Sequence, residues 1–156
     1  MRNPGKLIGL FVVALAFAAP ATANASGVQA NLVDGSITAE GNTCTFADAS
    51  TSANPPDTLT VDAATVKPEC GDASVTLNND PKITFDDANG AATADVIDIT
   101  GSQSGVECRY KAADVTLNRD GDTRNYAGGP YTGEKVDGSP LCPDTVKIDE
   151  ASMSFH

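Results

Sequence analysis

The side chains with chemistry to offer are four cysteines, 21 aspartates and glutamates, and a single histidine. Cys108 lies in the alternating run "VECRYKA", and three chemistries compete for it. A nucleophilic thiolate needs a base beside it. The one histidine, His156, stands at the end of the sequence, where fraying is expected, so no Cys–His or Ser–His–Asp set is expected. A structural zinc needs cysteines or histidines in closely spaced pairs. Cys44, Cys70, Cys108 and Cys142 are instead 26, 38 and 34 residues apart. An even number of cysteines without a metal pattern reads as a disulfide framework. Three connectivities are open, and spacing does not choose among them. Local context favours one. "CTFADAS" at Cys44 matches "CRYKAAD" at Cys108, each with an aromatic two residues on. "CGDASVTLN" at Cys70 matches "CPDTVKID" at Cys142, each with Asp two residues on. Each half of the chain carries one cysteine of each kind, so the simplest links are Cys44–Cys70 and Cys108–Cys142.

The acids offer two further chemistries. A facing pair of carboxylates, such as Asp86 with Asp98, is the equipment of a glycoside hydrolase. The chain has no Trp and three Tyr, which leaves little to stack against a sugar. Calcium takes hard oxygen ligands. "NRDGDTRN" offers Asn118, Asp120 and Asp122, and "FDDANG" offers Asp86, Asp87 and Asn89. An EF-hand loop counted from Asn118 would need Glu where Gly129 stands, and Arg119 and Arg124 would oppose a cation. Both loops read more simply as hairpin turns, where Asp, Asn and Gly serve backbone geometry. The expectation is no catalytic residue and no cofactor, with calcium at those six residues as the alternative.

The elements that must carry these residues are strands. "SITAE", "TCTFA", "TLTVDAATV", "SVTLN", "KITFD", "ADVIDIT", "VECRYKA", "DVTLN" and "TVKID" alternate apolar or β-branched residues with polar ones. That is the pattern of strands with one buried face. Asn89-Gly90 and Asp120-Gly121 each separate two such runs, a strong hairpin signal. "STSANPPD" and "YAGGPYTGE" read as longer loops, since proline cannot pair in a central strand. Eight to ten short strands with regular turn signals predict an all-β, antiparallel fold with two disulfides: a β-sandwich, Ig-like or small barrel-like. The runs are too short, and their outward positions too charged, for an outer-membrane barrel.

The first residues, "MRNPGKLIGLFVVALAFAAPATANAS", place Arg2 and Lys6 before an apolar run from Leu7 to Ala19 and an A-x-A at Ala23 and Ala25. That is the layout of a secretory signal peptide over residues 1–25. The run would span only about 20 Å, short of a bilayer core. Residues 26–156 are then expected as one exported, soluble, monomeric domain. Without Arg2 and Lys6 the ten bases become eight against 21 acids, so the net charge moves from −11 to −13. Such a surface repels phosphate backbones and anionic membranes.

The stretch "GVECRYKAADVTLNRDGDTRNY…GSPLCPDTVKIDEASMSF" resembles small secreted β-rich proteins of actinobacteria that carry C-x-Y near a hairpin and a later L-C-P. Here these are Cys108-Arg109-Tyr110 and Leu141-Cys142-Pro143. The likeness reaches back through "KITFDDANGAATADVIDIT". The resemblance implies export, β structure and a Cys108–Cys142 link, and no activity. In architecture alone, a small secreted sandwich with two disulfides is similar to the enediyne-carrier apoproteins. The reading taken first is therefore non-enzymatic: binding, or a place in the cell envelope or extracellular matrix, with an unknown protein or cell-surface partner. Its alternatives are a hydrolase with paired carboxylates and a small-molecule carrier with its pocket between the sheets.

Overall fold

The computed structural model describes residues 31–156; the leader expected over residues 1–25 lies outside them. The described residues form ten strands and no helix: β1 (Leu32–Ala39), β2 (Asn42–Ser50), β3 (Leu59–Thr60), β4 (Ser74–Leu77), β5 (Lys82–Asp86), β6 (Ala91–Gln103), β7 (Val106–Arg119), β8 (Asn125–Gly128), β9 (Tyr131–Gly138) and β10 (Thr145–Phe155). Every pairing between them is antiparallel. The fold is thus all-β with two disulfides, Cys44–Cys70 and Cys108–Cys142, as the cysteine contexts suggested.

The sheet runs in the order β2-β1-β10-β8-β7-β6-β5-β3. Three strands are longer than the sequence runs implied: β6 has 13 residues, β7 has 14 and β10 has 11. Each spans two shorter partners laid end to end. β6 pairs first with β5 and then with β4, β7 with β9 and then β8, and β10 likewise with β9 and then β8. The two ends of the path also meet. Thr51 bridges Val61, Ser52 donates its N–H to the Thr60 carbonyl at 3.0 Å, and Asp62 donates to the Ser50 carbonyl at 2.9 Å. The hydrogen-bonded ladder therefore returns to its start, the barrel-like alternative, and the edges of β2 and β3 are covered rather than bare.

Both expected hairpins form, β5–β6 around Asn89-Gly90 and β7–β8 around Asp120-Gly121. Two others were not foreseen. Glu40-Gly41 joins β1 to β2 with φ of 49° and 78°, and Ser104-Gly105 joins β6 to β7 with φ of 51° and 80°. Two successive residues with positive φ are the mirror-image turn that matches strand twist. The expected loop "YAGGPYTGE" is corrected: it contains most of β8 and the start of β9, separated only by Gly129 and a cis Gly129–Pro130 peptide.

The core is built from small side chains. Val33, Ala49, Leu59, Val61, Ile83, Ala92, Ala94, Val115 and Leu117 are buried. Three of the large rings gather at one end, where Phe85, Tyr126 and Phe155 sit 5.3 to 6.0 Å apart, tilted or edge-on. That geometry suits the ring quadrupoles and fills this end of the interior.

Candidate functional site

The opposite end of the interior is hollow. A cavity of about 540 Å³ lies inside the closed sheet. Its floor is the buried group Val61, Ile83, Ala94, Val115, Leu117 and Ala151. Its walls are Ile37 of β1, Phe46 of β2, Val75 and Leu77 of β4, Ile97 and Ile99 of β6, Val106 and Tyr110 of β7, and Val146 and Ile148 of β10. Many of these inward side chains, Ile37, Ile97, Ile99 and Leu77 among them, are only partly buried. Their exposed surface faces the hollow. The reason lies in composition: the wall offers branched aliphatics, Ala39 and Gly101, which are too short to meet across the interior.

The walls are positioned by one irregularity. On β6 the inward residues are Ala92 and Ala94, then Ile97 and Ile99; on β7 they are Val106, Cys108 and Tyr110, then Val115 and Leu117. The alternation changes phase on both strands at once, where the pairing skips from Ala94–Val115 to Val96–Ala113 past Asp95 and Asp114, and Asp114 has φ of 52°. Asp95 accepts hydrogen bonds from the Lys82 and Val96 N–H groups, so its carboxylate replaces a ladder partner. At this corner the ribbon exchanges β5 for β4.

The mouth is rimmed by three connections. Glu40 of the β1–β2 turn and Asn42 at the start of β2, Gln103 at the end of β6 and Ser104 of the β6–β7 turn, and Leu141 and Pro143 of the β9–β10 connection supply the rim. Leu141 is 79% exposed, the most exposed large apolar side chain among the described residues. Both disulfides brace this half. Cys44 and Cys108 are wall residues, tied to the β3–β4 and β9–β10 connections with Cα atoms 4.2 and 5.7 Å apart. Tyr110 is buried and donates its hydroxyl to the Pro143 carbonyl at 3.1 Å; burial pushes its phenol up. Lys135 adds a hydrogen bond to the Cys142 carbonyl at 3.0 Å.

The acids singled out from the sequence lie elsewhere. The β5–β6 and β7–β8 turns meet at the end of the β6–β7 ribbon away from the mouth. Asp87 is held there by Arg124, at 2.9 and 3.1 Å, and by Arg119 at 3.3 Å. The Arg124 hydrogen bond holds the Asp87 carboxyl below its usual value. Asp86 accepts from the Asn89 N–H and side-chain amide, which lowers it too. Asp120 serves its own turn through its backbone, Asp122 is exposed, and Asn118 sits in β7 opposite Ala91 and Ala127. Guanidinium groups thus hold Asp87, and Asn89 holds Asp86.

Asp86 and Asp98 do not form a pair. Asp86 lies opposite Ala91, and Asp98 is seven residues further along β6, about 23 Å at ~3.3 Å per residue. Asp98 is buried on the outer face, where Arg109 grips it through two hydrogen bonds of 2.7 and 2.8 Å. Lys111 at 3.2 Å and Asn78 at 2.9 Å complete its partners. The Arg109 hydrogen bond holds the Asp98 carboxyl far below the usual carboxylate range.

One cluster escaped the sequence reading. His156 Nε2 lies 3.2 Å from an oxygen of Asp34 and 3.9 Å from one of Asp48, close enough together for these three to share a metal ion. The group is open to solvent, and the Asp48 N–H already occupies Asp34. His156 reaches it because its backbone pairs with Leu32 in both directions at 3.0 Å. Sequence separation hid the cluster, since its members come from β1, β2 and the residue after β10.

No protein-family model matches the chain, and neither a curated protein nor a solved structure does.

Proposed function

We propose that this chain is a secreted, non-enzymatic binding protein that carries an apolar small molecule inside its barrel. The observation that supports the reading is the largely apolar cavity of about 540 Å³, lined by buried aliphatics and reaching exposed turn residues such as Glu40, Ser104 and Leu141. Small-molecule sites run from ~300 to 1,000 Å³ and are mostly apolar. An unfilled apolar wall forgoes dispersion contacts, and a ligand that covers it gains both those contacts and the release of water. The lining holds no histidine and no carboxylate pair, and its one phenol is engaged with Pro143. This ranks the carrier above the cell-envelope role taken first from the sequence. Cleavage after Ala25, action as a monomer and kinship with the small secreted actinobacterial proteins belong to the same proposal. The disulfides support an oxidising compartment.

The test is titration with N-phenyl-1-naphthylamine, a neutral dye that brightens in apolar surroundings. The oxidised protein is expected to bind it saturably, one dye per chain, with a micromolar Kd. Ile99→Trp, which puts a ring into the hollow, is expected to abolish the signal while the unfolding midpoint holds or rises; Leu77→Phe gives a milder second filling. Non-saturable brightening, or binding indifferent to both variants, would remove the carrier reading.

A further inference from the structure

We infer that the ligand's polar end is neutral or cationic, not a carboxylate or phosphate, and that Glu40 meets it at the mouth. The inference rests on the carrier reading and adds the ligand's chemical class. No Lys, Arg or His lines the cavity, and Glu40 is its one charged residue. The bases nearest the mouth are already engaged: Lys135 by Asp144 at 3.3 Å and the Cys142 carbonyl, Lys147 by Asp149 at 2.6 Å. Arg109, Lys111, Arg119 and Arg124 are spent on Asp98 and Asp87. Among the described residues only Lys67 and Lys82 lack a carboxylate partner. Lys67 donates to the Ala64 carbonyl, and Lys82 is an exposed strand residue between the two lining residues Pro81 and Ile83.

An anionic headgroup at this mouth would lose water without gaining a base from the lining, beside a glutamate and within the field of a chain with net charge −11. A hydroxyl, amide or ammonium has no such penalty. Glu40 is built to receive one. One of its oxygens accepts the Lys147 backbone N–H at 3.2 Å, which orients the side chain. Its second oxygen has no protein partner among the described residues. A ligand with an aliphatic body and an amine, alcohol or amide at one end fits both the wall and the rim.

The experiment displaces the same neutral dye with three competitors that share a ten-carbon tail: decan-1-ol, decyltrimethylammonium and decanoate, at pH 7.5 and low salt. Decanol and the ammonium are expected to displace the dye at similar concentrations, and decanoate to need at least about tenfold more. Glu40→Gln keeps an acceptor for the Lys147 N–H; it is expected to weaken the ammonium about threefold and leave decanol unchanged. Decanoate competing as well as decanol would overturn the inference while the cavity reading stands. An ammonium unaffected by Glu40→Gln would remove Glu40 from the site. Displacement by none of the three would strike at the carrier reading itself.

Discussion

Asp98 shows how one side chain can be misread from its type alone. Its neighbours Ile97 and Ile99 face the cavity, so strand alternation sends the carboxylate to the outer face. There Asn78 and Asn79, from the β4–β5 connection, lie across it, and Asn79 accepts the Asp98 N–H. The carboxylate is a fastener: it gathers Arg109, Lys111 and Asn78 onto β6 and pins the crossing segment. Asp98→Asn is expected to cost about 2 kcal/mol at pH 7, the scale of a charge-assisted hydrogen-bond set with half-exposed partners. The sign with pH follows from a depressed carboxylate. Its stabilisation is fully present above the unfolded value of ~3.9 and is lost as pH falls toward the lower folded value. Urea midpoints at pH 7 and pH 3 check this: the gap between wild type and Asp98→Asn should shrink at the lower pH. An equal gap at both would show that the ionised Asp98 contributes no stabilisation of its own.

At the scale of elements, turns and corners decide the shape. Asn89-Gly90 and Asp120-Gly121 announced their hairpins because Asn, Asp and Gly enter positive φ cheaply. Glu40 and Ser104 reach φ of 49° and 51° without that advantage, and so escaped notice. Glycine matters most where a neighbouring strand presses on it. Gly138, at the end of β9, has φ of 119°, and a Cβ there would stand 2.5 Å from the Glu107 carbonyl oxygen and 2.9 Å from the Cys108 Cα. Gly41 has φ of 78° with nothing near its missing Cβ. Gly138→Ala must therefore push β9 off β7, while Gly41→Ala strains only its own turn. Chemical denaturation is expected to show a loss above ~2 kcal/mol for the first and about 1 kcal/mol for the second. Similar losses would mean that β9 yields without cost.

For the molecule as a whole, the balance is between a filled end and a hollow one. The aromatic trio packs one end, and the other keeps a cavity whose walls are tied by sulfur to the β3–β4 and β9–β10 connections. Cutting either link, as Cys44→Ala with Cys70→Ala or Cys108→Ala with Cys142→Ala, is expected to cost about 3–4 kcal/mol by the loop-entropy argument. Urea midpoints read the loss, and a change below ~1 kcal/mol would show that packing alone holds the rim. The sequence by itself determined the strand class and two of the hairpins and favoured the disulfide pairing that forms, because alternation, turn chemistry and cysteine context are local properties of the chain. It also showed that large rings were scarce, though not where the resulting space would lie. Only the tertiary structure decided that the ladder closes, that β6 and β7 change phase together at Asp95 and Asp114, and that the acids face outward while the interior stays apolar and partly empty. These are long-range outcomes. A cavity is the mismatch between side-chain volume and the distance across a closed sheet, and that distance is set by which strands pair and with what register.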